Sequence, residues 1–109
     1  MGMGDYEYEE ALRYVNEYRL NEEWYSTCLT TMAAIGGNEA NWDMLDTVGI
    51  IVGDRDTADK NKIKEIRDKT IESKNSKEYY QGLYEITKKK LDEVRMEIRD
   101  AEQIIEDYF

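Results

Sequence analysis

A heptad pattern sustained over the last third of the chain is the feature that most constrains its fold. Residues able to form a packed seam recur at spacings of four and three over four heptads, and neither glycine nor proline follows Gly82. This period predicts one continuous helix over 77–109, on the order of 45 Å long, with a seam that packs against another helix. The seam consists of Tyr80, Tyr84, Thr87, Leu91, Val94, Ile98, Ala101, Ile105 and Tyr108.

Two partners for this seam are open. The helix is too long for the other helices of a compact 109-residue chain to cover fully, which favours a second copy. The flanking charges favour an antiparallel homodimer, because that arrangement places Lys90 by Glu97, whereas a parallel pair opposes like charges. The alternative is a bundle within one chain, in which the seam packs on 5–20 and 57–73. The predicted oligomerisation residues are Tyr84, Leu91, Val94, Ile98, Ala101 and Ile105.

Shorter helical patterns occupy the rest of the chain. Residues 24–35 are apolar or small on most sides, which predicts a helix central in the core that ends at Gly36. Residues 47–52 are β-branched except for Gly49 and would also suit a short buried strand. No second convincing strand is available to pair with it, so helix is predicted. The patterns together predict a single all-α domain, a small bundle of four to five helices at 5–20, 22–35, 39–52, 57–73 and 77–109, the last one long and heptad-patterned.

Charge is sorted along the chain. It has 25 acidic and 15 basic residues, a net charge of -10. Residues 1–53 carry ten acids and two bases, residues 54–90 carry eight acids and eleven bases, and residues 91–109 carry seven acids and two bases. Such sorting predicts charged surfaces and partners that recognise them. Because an acidic surface repels anionic lipid and nucleic-acid backbones, we expect no direct contact with nucleic acid or membrane.

The residues for common enzyme chemistry are missing. The chain has no histidine, and its one cysteine, Cys28, lies in the most apolar segment, where a buried, inert thiol is expected. A partial EF-hand pattern at Asp54, Asp56 and Glu65 puts Ala58 where a ligand is needed. We therefore predict no enzymatic activity, no cofactor and no metal site. A single cysteine, without a leader or membrane-spanning pattern, predicts a cytoplasmic protein.

Acids alternate with aromatic residues over 5–25, which predicts a recognition surface. Tyrosine is a common anchor in protein interfaces, and a dense carboxylate face complements a basic groove. The alternative is that the tyrosines fill the core and the acids only solvate the surface. The predicted protein-binding residues are Asp5, Glu7, Glu9, Glu10, Glu17, Glu22 and Glu23, with Tyr6 and Tyr14 as anchors.

In composition alone, the chain is similar to the small, acidic, helical inhibitors encoded by phages and mobile elements, among them anti-restriction DNA mimics and anti-CRISPR proteins. The resemblance implies a protein-binding inhibitor that blocks a basic nucleic-acid-binding surface of a host enzyme by charge complementarity. The basic stretch 60–77 departs from a pure DNA mimic. Two other functions are open: a structural or assembly protein acting through an oligomeric coiled coil, and a small-ligand, nucleotide-binding protein. The latter would use lysines of 60–77 and 88–90 with the rings of Tyr79, Tyr80 and Tyr84.

Overall fold

Four α-helices make up almost all of the chain that the structure describes. The computed structural model covers residues 2–36 and 42–108, and of residues 2–5 it describes only the backbone. No strand occurs in those residues, so the predicted all-α class with a long C-terminal helix is confirmed. The helices are α1 (Gly2–Ile35), α2 (Trp42–Gly53), α3 (Thr57–Ser73) and α4 (Ser76–Tyr108).

Successive helices run antiparallel, and the first and last are much longer than the other two. Arg55, just after α2, contacts Asn21 and Trp24 near the middle of α1. Lys90 of α4 binds Asp56 at the turn before α3. The shorter helices therefore cover only half of each long helix, and the chain extends over 60 × 24 × 15 Å. We call residues 24–91 the bundle, and residues 5–23 together with 92–108 the arm.

The antiparallel pair of α1 and α4 forms the most extensive contact between two helices. Tyr8 stacks on Tyr108 with ring centroids 4.2 Å apart, and an Arg19 Nη lies 2.9 Å from a Glu102 Oε. The heptad seam is therefore occupied by α1 of the same chain, as in the single-chain alternative. In the buried core, α1 contributes Ala11, Val15, Tyr25, Cys28 and Met32, and the heptad part of α4 contributes Leu91, Val94, Ile98 and Ala101.

This packing buries most of the predicted oligomerisation residues inside the single chain. Leu91, Val94, Ile98 and Ala101 are buried within one chain, Ile105 is half-buried, and only Tyr84 is exposed. A second copy would have to displace α1 to reach the buried four. The antiparallel homodimer stays a prediction, and it needs a surface other than this seam.

The first two predicted helices are one continuous helix. A break was expected between 5–20 and 22–35 because Asn21 resembles a helix cap, but α1 runs through it from Gly2 to Ile35. The Asn21 side chain instead accepts a hydrogen bond from Arg55. The second half of α1 is also less central than predicted, since Trp24 is 43% exposed. No glycine or proline interrupts this stretch of the sequence, so nothing local ends the helix.

The seam of α4 leaves the heptad register in the bundle. There the buried tyrosine and leucine are Tyr79 and Leu83, each 1% exposed, in place of the predicted Tyr80 and Tyr84. From Tyr79 to Leu91 the buried positions of α4 are four residues apart. This spacing is closer to the period of a straight helix, 3.6 residues per turn, than to the 3.5 of a supercoiled one. The cause is a different set of neighbours, because α2 and α3 as well as α1 pack on this half of α4.

Residues 47–52 are helical, as predicted, within α2, while 39–41 of the predicted third helix lie outside the described residues. A Cβ added at Gly49 would lie 2.9 Å from the Tyr79 hydroxyl, and one at Gly53 would lie 3.1 Å from Lys60 Cα. The first distance is too short for a Cβ, and the second would require the backbone of α3 to shift. Gly49 therefore lets α3 and α4 approach α2 closely, and Gly53 does the same for α3.

Helix ends agree with the local signals. Gly36 has a φ of 71° and its N–H donates to the Met32 carbonyl, the geometry of a left-handed C-cap. Asp56 caps α3 by accepting from the Ala58 N–H at 2.8 Å. Asn75 caps α4 and accepts from the N–H of Glu78, whose carboxylate accepts from the Asn75 amide in return.

A polar cluster joins the three C-terminal helices. Arg67 of α3 forms two hydrogen bonds with Asp46 of α2, at 2.6 and 2.9 Å. The Tyr79 hydroxyl of α4 donates to the same carboxylate at 2.9 Å. Burial of Tyr79, followed by its hydrogen bond to Asp46, raises the pKa of this phenol well above its usual value of 10. The cluster fixes the rotation of α2, α3 and α4 relative to each other.

The buried seam predicts a large difference between two substitutions on α4. Leu91→Ala should lower the free energy of unfolding by about 2–4 kcal/mol, because Leu91 is 3% exposed and its loss leaves a cavity. Ile104→Ala, at a position 47% exposed, should change it by less than about 0.5 kcal/mol. Urea denaturation followed by circular dichroism measures both. Equal effects would show that the seam is not the core of the single chain.

The Asp46 cluster predicts the behaviour of the chain in alkali. Because the folded pKa of Tyr79 is raised, the stability it provides is present below pH 10 and is lost as the pH rises above that value. Tyr79→Phe should lower the free energy of unfolding by about 1 kcal/mol at neutral pH. Between pH 10 and about pH 12 the unfolding free energy of this variant should fall less steeply than that of the wild type. Urea titrations across this range measure the slopes, and parallel slopes would contradict the prediction.

Candidate protein-binding surface

The arm carries the whole net charge of the protein. Residues 5–23 and residues 92–108 each have seven acids and two bases, whereas residues 24–91 have eleven of each. The arm therefore has a formal charge of -10 and the bundle is neutral. Two acidic blocks that are far apart in the sequence become neighbours because α1 and α4 pair antiparallel.

The two sides of the arm differ in how its carboxylates are compensated. On one side Arg19 pairs with Glu102 at 2.9 Å, and Arg95 lies 3.7 Å from Glu22. On the other side Arg13 lies 3.7 Å from Glu10 within α1. Glu17 of α1 and Glu97 of α4 lie near Tyr18, whose pKa is raised by burial and then by the charges around it. Helical spacing places Glu10 and Asp100 beside them. We call Glu10, Glu17, Glu97 and Asp100 the acidic face.

Tyrosines occupy the acidic face. Tyr14 stacks on Tyr18 with ring centroids 5.9 Å apart, and its hydroxyl donates to Glu10 at 3.1 Å. The Arg13 guanidinium lies over the Tyr14 ring, 5.0 Å from its centroid. Tyr14 is therefore half-buried and held in place among carboxylates, which suits an anchor that loses little entropy when a partner binds.

The predicted binding residues do not form one surface. Since each helical residue turns by about 100°, acids at 5–23 are distributed around α1. Glu22 pairs with Arg95 across the arm, and the Asp5 side chain lies outside the described part. Tyr6 is 65% exposed near the arm tip. Glu10 and Tyr14 are joined by a hydrogen bond. Four of the predicted acids are exposed and form no ion pair among the described residues: Glu7, Glu9, Glu17 and Glu23.

Half of the acidic face was missing from the sequence-based prediction. Glu97 and Asp100 belong to α4, and both are exposed. Their position in the C-terminal acidic block was visible in the sequence. What the sequence did not show is that this block would lie against residues 10–18, because the seam was compatible with a second copy as well.

A lysine fixes the base of the arm to the bundle. Lys90 Nζ lies 2.8 Å from Asp56 Oδ2, 3.2 Å from Asp59 Oδ2 and 3.6 Å from Glu93 Oε2. The hydrogen bond from Lys90 is the main cause of the lowered pKa of Asp56, and the same contact raises the pKa of Lys90. This junction holds the turn between α2 and α3 on α4 at the point where the arm begins.

Several of the residues considered for other chemistry are engaged within the fold. Asp56 of the partial EF-hand pattern caps α3 and binds Lys90, and no group of three metal-ligating side chains occurs in the part of the chain described. Cys28 is buried, which raises the pKa of its thiol. Of the predicted nucleotide-binding residues, Tyr79 binds Asp46 and Lys90 binds the α3 turn. No described helix is both long and apolar enough to cross a membrane.

A second surface feature is an open apolar groove between α1 and α2. Its volume is about 710 Å³. Leu20 and Met44 in its walls are 67% and 53% exposed. This groove was not predicted, because the helix over residues 24–35 was expected to lie at the centre of the core.

Comparison with known proteins adds no assignment. The chain matches no family model, no curated protein and no solved structure. Its function is therefore inferred from the arm and the groove alone.

The Lys90 junction predicts a selective effect of one lysine. Lys90→Met should lower the free energy of unfolding by about 1–2 kcal/mol, because Asp59 then stays poorly solvated without a cation. Lys89→Met, the exposed neighbour, should change it by less than about 0.5 kcal/mol. The difference in unfolding free energy between Lys90→Met and the wild type should become smaller below pH 3.8, the ordinary pKa of aspartate, because Asp56 becomes protonated. Urea denaturation at pH 7 and pH 3 measures this, and an effect independent of pH would contradict it.

Proposed function

We propose that this protein is a small acidic inhibitor, of the kind that phages and mobile elements encode, which acts by binding another protein rather than by catalysis. The arm docks on a basic surface that a partner enzyme uses to hold nucleic acid. The acidic face supplies the charge, and Tyr14 and Tyr18 supply the rings that anchor it. The single observation that carries this proposal is the concentration of the whole net charge on the arm.

The charge density of the arm supports mimicry of a nucleic-acid backbone. Each half of the arm rises by about 1.5 Å per residue, so the arm is about 28 Å long. Its fourteen carboxylates amount to one for about every 2 Å, close to the one phosphate per about 1.7 Å of duplex DNA. Four arginines reduce the net charge to one for about every 3 Å. Because these carboxylates are distributed around both helices, a basic groove that binds one side of the arm would meet the four of the acidic face and their neighbours rather than all fourteen.

A protein partner suits this surface better than nucleic acid does. The arm repels phosphates, whereas lysine- and arginine-lined surfaces gain from it both in encounter rate and in specificity. The structure offers less to the other two functions. The assembly function depended on a seam that α1 occupies. Two of the residues predicted to bind a nucleotide, Tyr79 and Lys90, are bound within the fold, whereas Tyr84, Lys88 and Lys89 are exposed.

The proposal is tested with two triple charge reversals of equal size. Glu17→Lys, Glu97→Lys and Asp100→Lys together change the acidic face. Glu65→Lys, Glu72→Lys and Glu85→Lys change three exposed acids of the bundle by the same total charge. Each protein is titrated into fluorescent duplex DNA bound to a panel of restriction, modification and CRISPR effector enzymes, and displacement is followed by anisotropy.

We expect the wild type to displace DNA from at least one enzyme of the panel, with an affinity that falls steeply between 50 and about 200 mM salt. The arm variant should lose more than about tenfold in affinity for that enzyme, because several interfacial charges become repulsive. The bundle variant should stay within about twofold of the wild type. Equal losses in the two variants, or binding independent of salt, would refute the proposal.

A further inference from the structure

The groove between α1 and α2 is an apolar surface that none of the described residues of the chain covers. Trp24, Leu20 and Met44 are 43%, 67% and 53% exposed along its walls. Such a concentration of exposed apolar side chains is unusual in a protein with 37% charged residues. It marks a contact surface rather than a solvated one.

The polar groups in the groove restrict what can fill it. The hydroxyls of Thr31 and Thr47 donate to the carbonyls of Thr27 and Asp43 one turn earlier in their own helices, at 2.9 and 3.0 Å. They therefore offer the groove mainly their methyl groups. A small polar ligand would find few free donors along the walls, whereas apolar side chains of a protein segment would be accommodated.

The charges at one end of the groove are complementary to each other. Glu23 and Arg55 both line it, and neither forms an ion pair within the described residues. Arg55 stacks on Trp24, 4.7 Å from the ring centroid, and binds Asn21. A two-fold axis beside these residues would bring Glu23 of each copy to Arg55 of the other, which is the reciprocal contact that a symmetric dimer requires.

The outer side of the arm provides a matching ridge. Leu12, Asn16 and Leu20 follow each other at intervals of four on α1, so they lie on one stripe. Leu12 is 40% exposed and Leu20 is 67% exposed. The ridge is free of charge within an otherwise highly charged arm. With the axis beside Glu23, an antiparallel second copy would lay this ridge along the groove towards Ile35.

We propose that the groove between α1 and α2 binds a second copy of this chain, and that the two copies run antiparallel with the Leu12–Leu20 ridge of each in the groove of the other. Electrostatics supports the direction. A parallel pair would place two arms of charge -10 side by side, whereas the antiparallel pair places each arm against the neutral bundle of the other copy. This inference concerns self-association and goes beyond the proposed inhibitor function.

Paired charge reversals test the symmetry of this contact. In a Glu23→Arg homodimer both reciprocal contacts become cation against cation, and in an Arg55→Glu homodimer both become anion against anion. An equimolar mixture of the two variants restores attraction at both contacts. Sedimentation velocity at concentrations from about 1 to about 100 µM covers dimers of micromolar affinity. Circular dichroism and thermal unfolding of each variant show whether it is folded.

We expect the wild type to sediment as a dimer and each single variant to dissociate at least about tenfold more readily. The mixture should regain dimer, which no loss of folding could produce. Met44→Glu should weaken dimerisation more than about a hundredfold, because a carboxylate is then buried in the groove, whereas Met96→Glu, at a position 63% exposed on α4, should leave it unchanged. A monomeric wild type, a mixture that stays monomeric, or a Met44→Glu dimer as tight as the wild type would overturn the proposal.

Discussion

The antiparallel packing of α1 on α4 is the interaction on which the rest of the molecule depends. It buries Ala11 and Val15 against the heptad seam of α4, and it places two acidic blocks side by side. Repulsion between fourteen carboxylates opposes this pairing. Burial of the seam, the stacking of Tyr8 on Tyr108, and the ion pairs at Arg19 and Arg95 offset that repulsion. The surface proposed to bind a partner therefore exists only because an apolar seam holds like charges together.

Local features of the fold could be predicted from the sequence, and long-range ones could not. Gly36, Asp56 and Asn75 end or begin helices through bonds to their immediate neighbours, so their roles follow from residue type and spacing. The heptad seam was also visible, but its period specifies a helix partner without naming one. The change of register at Tyr79 had no local signal, because it arises where α2 and α3 add contacts that a two-helix seam lacks.

The candidate surface was predictable to a similar extent. Glu10, Glu17 and Tyr14 were expected to contribute, and they lie on the acidic face, where Glu10 also pairs with Arg13 one turn along α1 at 3.7 Å. Glu22 was expected as well, but it is compensated by Arg95, a residue 73 positions away that only the pairing of α1 with α4 brings near. Glu97 and Asp100 escaped prediction for the same reason. A single sequence shows which residues carry charge, whereas the fold decides which of those charges remain uncompensated.

The basic middle of the chain explains why the arm keeps its charge. Those bases could have neutralised one of the acidic blocks, which would have left a single acidic helix for a partner. Instead Arg67 binds Asp46, and Lys90 binds Asp56 and Asp59, all within the bundle. These contacts also fix α2 and α3 on the long helices. Among the described residues, bundle lysines reach the arm only at its base, where Lys88 lies 3.3 Å from Asp92 and Lys90 lies 3.6 Å from Glu93. Bundle stability and arm charge are thus coupled, because beyond this base the arm has only its own four arginines to compensate the rest of its fourteen carboxylates.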